Sequence, residues 1–255
     1  MRIASLGSGS KGNGTIVDSG STCLLVDLGF TLKETEKRLE RLGVSPLTID
    51  AILVTHEHSD HVHGVGPFSR KYKKPVFLTP GTHSKAKLGK VDGARPINCH
   101  KPFRIGDIGV EPVPVPHDAR EPCQYVLSAG GFKVGVLTDL GHITRFVVEQ
   151  YKFCHALLLE CNHDLQMLND GPYPYALKQR VGGPHGHLNN LQAAELLQEI
   201  ELDQLRHLII SHVSEQNNQP ELAEAAISPI LANWQGTLKI ANQNQGFDWI
   251  DLRHD

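Results

Sequence analysis

Four residues able to bind a metal ion fall within six positions, His56-Glu57-His58-Ser59-Asp60-His61. They follow the apolar run Ile52-Leu53-Val54-Thr55, where a strand would end. Imidazole nitrogens mixed with carboxylate oxygens suit Zn, Mn or Fe. If the backbone turns there, two of the four face one ion and two face a neighbouring one. The same phase recurs along the chain. Asp27 follows Leu24-Leu25-Val26, His117 follows Val115-Pro116, and Asp139 follows Val136-Leu137-Thr138. Glu160 follows Leu157-Leu158-Leu159, with His163 close behind, and His212 follows Ile209-Ile210-Ser211. Sites in α/β proteins gather outside the carboxyl ends of strands. Histidines scattered through a core would not keep this phase. His83, His100, His155, His207 and His254 lack it and read as surface or satisfied core residues.

The elements that must position these residues are short. Apolar runs predict strands over Arg2 to Leu6, Cys23 to Val26, Ala51 to Val54, Val76 to Leu78, Tyr125 to Leu127, Val134 to Leu137, Ala156 to Leu159 and Leu208 to Ile210. Helical spacing predicts helices over Thr31 to Leu42, Ile143 to Tyr151, Gln192 to Ile200 and Pro220 to Leu231. Gly43 would end the first, Asn189 or Asn190 would cap the third, and Pro220 would sit in the first turn of the fourth. Ile105 to Pro116 carries Pro112, Pro114 and Pro116, so it is expected at most as an edge strand. Strands mixed with helices make an α/β chain.

The bulk composition is that of an ordinary globular protein: 255 residues, 25 Lys+Arg against 28 Asp+Glu, net charge -3 and 40% hydrophobic. The unusual count is 15 histidines. No linker or low-complexity tract interrupts the chain, so one domain over residues 1–255 is expected. No apolar run approaches the roughly 18 residues of a membrane helix, and the N-terminus lacks a secretory apolar region, so no membrane association is expected. Cys23, Cys99, Cys123, Cys154 and Cys161 form no CxxC pair, which argues against a disulfide framework and for a reducing, cytoplasmic setting. The near-neutral charge excludes bulk adhesion to nucleic acid but leaves room for a local patch.

With its HxHxDH signature and the later His, Asp and His in order, the sequence resembles the metallo-β-lactamase superfamily. The resemblance implies an α/β fold, the αββα sandwich, with two divalent metal ions, Zn or Mn, at one edge. It implies that His56, His58 and His117 hold one ion, that Asp60, His61 and His212 hold the other, and that Asp139 bridges them. Asp27 and Glu160 would support the ligands by hydrogen bonds. His58 at the third motif position departs from the flavodiiron pattern, and Asp139 departs from many zinc β-lactamases, which are also secreted. The length leaves no room for the inserted domain of β-CASP nucleases, and no exosite arm of the RNase Z kind is evident. Narrower segments are similar to the YycJ/WalJ group of bacterial metallo-hydrolases, linked to Mn-dependent 5′→3′ DNA exonuclease activity. They are Gly7-Ser8-Gly9-Ser10-Lys11-Gly12-Asn13, Glu160-Cys161-Asn162-His163-Asp164, Asn169-Asp170-Gly171-Pro172-Tyr173-Pro174 and Gly186-His187-Leu188-Asn189-Asn190. Asn189 replaces the Ser usual in the last of these.

That resemblance implies hydrolysis of a phosphodiester, with DNA as the partner, by a hydroxide bridging the two ions. Asp60, His187 and His163 are the catalytic candidates, His187 as the group that contacts the scissile phosphate or protonates the leaving oxygen. Ser10, Asn13, His187 and Asn189 are the candidates for substrate contact. The glycine-rich opening has two readings: a phosphate cradle, or a tight turn packed under the metal loop. Arg70-Lys71-Tyr72-Lys73-Lys74 could steer a phosphate backbone and stack a base, or form a solvated helix end. The same ligands would equally serve an ester or thioester hydrolase of the glyoxalase II kind. A metal-binding protein without catalysis is the third reading.

Overall fold

The computed structural model describes residues 1–253, so His254 lies outside the described residues. In chain order the elements are β1 (Arg2–Gly7), β2 (Gly14–Asp18), β3 (Cys23–Val26), α1 (Leu32–Arg41), β4 (Ala51–Leu53), α2 (Ser59–Val62), α3 (Val65–Tyr72), β5 (Val76–Leu78), α4 (Pro80–Lys85), β6 (Ala94–Pro96), β7 (Phe103–Ile105), β8 (Ile108–Pro114), β9 (Cys123–Ala129) and β10 (Phe132–Leu137). They continue as α5 (Arg145–Tyr151), β11 (Ala156–Glu160), α6 (Leu165–Asp170), α7 (Tyr175–Val181), α8 (Asn190–Glu199), β12 (His207–Ser211), α9 (Pro220–Ile227), β13 (Thr237–Ile240) and β14 (Phe247–Asp251). Two compact units emerge. The first gathers Met1–Pro114, Ala119–Phe132 and the segment from Asn242 onward, and the second gathers Val115–Asp118 and Lys133–Ala241.

The first unit holds a sheet in the order β14-β1-β2-β3-β4-β5-β6 and the antiparallel run β7-β8-β9. β3 and β4 run parallel, with Val26 opposite Leu53, so the residues just beyond them emerge side by side. The core between this sheet and its helices is aliphatic with Phe30 and Phe68, including Leu25, Leu28, Leu39, Ile52 and Val65, all buried. Thr31 caps α1, and Gly43 follows it at φ 68°, as the spacing predicts.

The expected edge strand is corrected. β8 lies between β7 and β9, but β7 pairs only as far as Val110, whereas β9 continues to Pro114. Pro112 and Pro114 therefore face a neighbour on one side only, and their missing N–H groups leave no ladder bond unmade.

The second unit is a parallel sheet, β10-β11-β12-β13. Leu137 faces Leu159, and Glu160 faces Ser211. Three consecutive strands thus end at one level, and Asp139, Glu160 and His212 come off their carboxyl ends together. No helix among the described residues is long and apolar enough to cross a membrane. All five cysteines are buried, and none is joined in a disulfide.

Candidate metal centre

In the first unit the HxHxDH segment is held from behind by Asp27. The Asp27 carboxylate is 3% exposed. Its Oδ1 accepts from Thr55 N at 2.8 Å, and its Oδ2 accepts from Thr55 Oγ1 at 2.7 Å and from His61 Nδ1 at 2.8 Å. A hydrogen bond at Nδ1 fixes the His61 tautomer and makes Nε2 the acceptor atom of the ring. Nε2 lies 3.4 Å from Asp60 Oδ2. His56 Nε2 lies 3.0 Å from His58 Nδ1, while His56 Nδ1 meets Thr55 Oγ1 at 3.0 Å. Thr55 therefore ties Asp27 to His56, a role the sequence reading did not assign it, although it sits next to the motif.

The glycine-rich opening packs under this loop. Asn13 N donates to Asp60 O at 2.8 Å, Leu28 N to His61 O at 2.8 Å, and Gly29 N to Asn13 O at 2.9 Å. A Cβ on Gly29 would lie 1.7 Å from Asp60 O, so only glycine permits that approach. The Asn13 side chain is buried, bonded to Gly9 in both directions and 3.1 Å from His61 Nε2. Ser10 is exposed and, with Lys11, Phe30 and Arg38, lines a cleft of about 530 Å³ that reaches Asp60. The basic cluster is largely committed to the fold. Arg70 donates to Leu88 O, Lys71 and Tyr72 both bond Glu36, and the Tyr72 ring lies 4.7 Å from that of Phe68.

In the second unit, donor atoms of Asp139, Glu160, His187 and His212 all lie within 4.8 Å of one another. Glu160 is fully buried. Its Oε1 accepts from His187 Nδ1 at 2.8 Å and from His212 Nδ1 at 3.0 Å, and its Oε2 accepts from Leu188 N at 3.0 Å and Leu140 N at 3.2 Å. Burial alone would raise its pKa, but the two imidazoles outweigh that and hold the carboxyl well below the usual range. His187 shows the converse: burial would lower its pKa, and Glu160 raises it. His187 is also the more open partner, its side chain 20% exposed against 2% for His212. His117 Nδ1 bonds Gly186 O at 3.0 Å, which leaves its Nε2 as the ligand atom. Asp27, Asp139 and His212 sit at φ 61°, 55° and 54°, three of the four non-glycine residues at positive φ among those described. Backbone held in that region costs energy and clusters at functional sites.

The other predicted residues are placed as follows. His163 is fully buried, neither ring nitrogen has a hydrogen-bond partner among the described residues, and burial lowers its pKa to about 4. Asn189 is the N-cap of α8, accepting from Gln192 N at 2.9 Å while Gln192 Oε1 accepts from Asn189 N at 3.0 Å. Ser and Asn are interchangeable caps, which explains Asn at this position.

The family is decided by a match of residues 22–213 to the model of the β-lactamase superfamily domain. The chain belongs to that superfamily. Exodeoxyribonuclease YycJ of Bacillus anthracis is 34% identical over 237 residues, spanning 91% of this chain and 89% of that protein. Exodeoxyribonuclease WalJ of Streptococcus pneumoniae is 34% identical over 238 residues, spanning 91% and 88%. Among solved structures, the metallo-β-lactamase fold protein YhfI from Bacillus subtilis matches at a TM-score of 0.74 and 17% identity, over 98% of this chain and 99% of that one. The fold of this superfamily member is thus the α/β fold of the metallo-β-lactamases, as expected. Two further residues of the superfamily member have contacts here that the sequence did not assign. Asn162 donates to His212 O at 3.1 Å, and Asp118 anchors Arg180. Only the position of Asn162, two residues beyond Glu160, hinted at its role.

Proposed function

We propose that this β-lactamase superfamily member is a divalent-metal-dependent phosphodiesterase that degrades DNA from a 5′ end, with residues 1–255 working as one cytoplasmic hydrolase domain. The observation that carries the reading is the donor set. Imidazole nitrogens and carboxylate oxygens gather within each unit, and His61, His117 and His212, each bonded at Nδ1, have Nε2 as the candidate ligand atom, a chemistry that fits Zn or Mn. Relatives named as exodeoxyribonucleases support the choice of substrate.

In this reading His56, His58 and His117 would hold one ion and Asp60, His61 and His212 a second, with Asp139 available to both. Bound divalent ions supply Lewis acidity to the phosphodiester. The chain's own residues do the rest. Asp27 and Thr55 orient the HxHxDH imidazoles, and Glu160 orients His212. Glu160 also favours the protonated form of His187, the form that can hand a proton to the leaving oxygen. Asp60 is both ligand and catalytic carboxylate. His163, sealed and neutral, acts through its neighbours. Ser10 meets substrate at the cleft beside Asp60, Asn13 holds the loop that presents Ser10, and Asn189 keeps α8 and the adjoining His187 loop in place.

The test compares turnover of an end-labelled DNA strand, bis-p-nitrophenyl phosphate, a thioester and a β-lactam, with Mn and Zn in turn. Stepwise shortening of the DNA from its 5′ end is expected. Preference for the thioester would replace the reading with an ester hydrolase, and turnover of none would favour a binding protein. His187→Ala should keep its metal content and lose on the order of 10²–10⁴ in turnover of DNA. Unchanged turnover would remove His187 from the chemistry.

A further inference from the structure

The segment between β11 and α8 is an excursion within the second unit. It starts four residues after Glu160 and ends at His187. Its feet are pinched by Asn162 N to Leu188 O at 2.9 Å and Asn190 N to His163 O at 3.0 Å. It carries α6 and α7, and α7 has no buried residue. A helix normally holds its place by burying an apolar stripe. This one is held by ties at its ends instead: His187 N to Val181 O at 2.9 Å, Lys178 Nζ to Asn169 O at 2.5 Å, and the ion pair of Arg180 with Asp118, next to His117.

The outward side of this excursion has a distinct chemistry. Tyr175, in the first turn of α7, is 77% exposed, the most exposed of the large hydrophobic side chains described. Its hydroxyl has no hydrogen-bond partner among the described residues. Lys178 follows one turn on along the same helix, roughly 4.5 Å along its axis. From Gly171 to Ala194 there is no Asp or Glu, in a chain whose net charge is -3. An exposed aromatic ring one turn from a lysine, in a stretch whose own sequence lacks acids, matches single-stranded nucleic acid, whose bases stack and whose phosphates need countercharge. It does not match a neutral thioester or a β-lactam.

We propose that α7 is a strand-binding platform: Tyr175 stacks on an unpaired base of the substrate, and Lys178, one turn further along the helix, meets its backbone. The proposal rests on the phosphodiesterase reading and adds the substrate form, a single-stranded end. Stacking needs the ring and not the hydroxyl, so Tyr175→Phe should behave as the parent and Tyr175→Ala should not.

The experiment measures fluorescence anisotropy of a labelled single-stranded oligonucleotide with the metal-free protein, alongside KM and kcat of the metal-loaded protein on the same strand and on bis-p-nitrophenyl phosphate. Tyr175→Ala should weaken strand binding and raise the strand KM about tenfold, the loss of one base stack. Its kcat and its turnover of bis-p-nitrophenyl phosphate should be unchanged, and Tyr175→Phe should restore the parent values. If the parent binds and cuts the strand and Tyr175→Ala does so equally well, the platform is refuted and the hydrolase reading survives. If Tyr175→Phe is as weak as Tyr175→Ala, stacking is refuted. A parent protein that neither binds nor cuts the strand but turns over the thioester overturns both readings.

Discussion

Replacing Asp27 by Asn changes one atom of a buried carboxylate and should disable His61, its hydrogen-bond partner, as a proposed metal ligand. In the parent, Oδ1 accepts the Thr55 N–H and Oδ2 accepts both the Thr55 hydroxyl and His61 Nδ1–H. Asn has one acceptor and one donor in the same places. If its oxygen keeps the Thr55 N–H, its NH₂ faces His61 Nδ1, which must then accept. The proton moves to Nε2, the atom that faces Asp60 at 3.4 Å, and that nitrogen can no longer bind an ion. The flipped amide would keep His61 but turn NH₂ against the Thr55 N–H, leaving buried donors unsatisfied at about 1–3 kcal/mol each. The tautomer change is therefore the preferred outcome. Asn tolerates the φ of 61° at this position, so the fold should survive. Losing such a support typically weakens metal binding 10–100-fold, about 1.4–2.8 kcal/mol. The assay is titration of chelator-treated protein with Zn and Mn by calorimetry, with nitrogen NMR of the histidine rings to read the tautomer. Two equivalents are expected for the parent, and one strong plus one weakened for Asp27→Asn. Parent-like affinity for both, with His61 Nδ1 still protonated, would refute the argument.

Three other outcomes follow from the geometry. His163 titrates near pH 4 in the fold against about 6.5 in the unfolded chain, so the unfolded state takes up protons first and stability falls as pH drops below 6.5. Denaturant unfolding should show a loss of about 2 kcal/mol between pH 7 and pH 5 from this residue, and His163→Asn should flatten that slope. Gly186→Ala would place a Cβ 2.1 Å from Val181 O and shift the carbonyl that His117 Nδ1 bonds, so metal content measured by elemental analysis should fall. Asn189→Ala should lower the melting stability by about 1 kcal/mol through loss of the α8 cap, and Asn189→Ser should restore both stability and turnover; a Ser variant that is stable yet inactive would give Asn189 a direct part in binding substrate.

Much of the site was readable because its signal is local. HxHxDH is contiguous, and Asp27, Asp139, Glu160 and His212 each end or follow an apolar run that fixes a strand. A buried parallel strand must be apolar along its length, and its end is the first place a polar residue can stand. The helices over Leu32–Arg41 and Asn190–Glu199 were legible from their caps for the same reason. What the sequence could not fix were pairings between segments far apart in the chain. The register that sets Glu160 opposite Ser211, the Gly186 carbonyl that fixes His117, and the Asp118–Arg180 pair arise from strand alignment and loop packing, which leave no periodic trace. Exposure likewise belongs to the tertiary structure. Tyr72 and Tyr175 both sit beside lysines in sequence, yet Tyr72 is bonded to Glu36 and packed on Phe68 while Tyr175 is left open to solvent. The sequence by itself determined which residue types gather at strand ends. The folded chain decided which nitrogen each imidazole offers, because a tautomer is set by the partner on the other side of the ring.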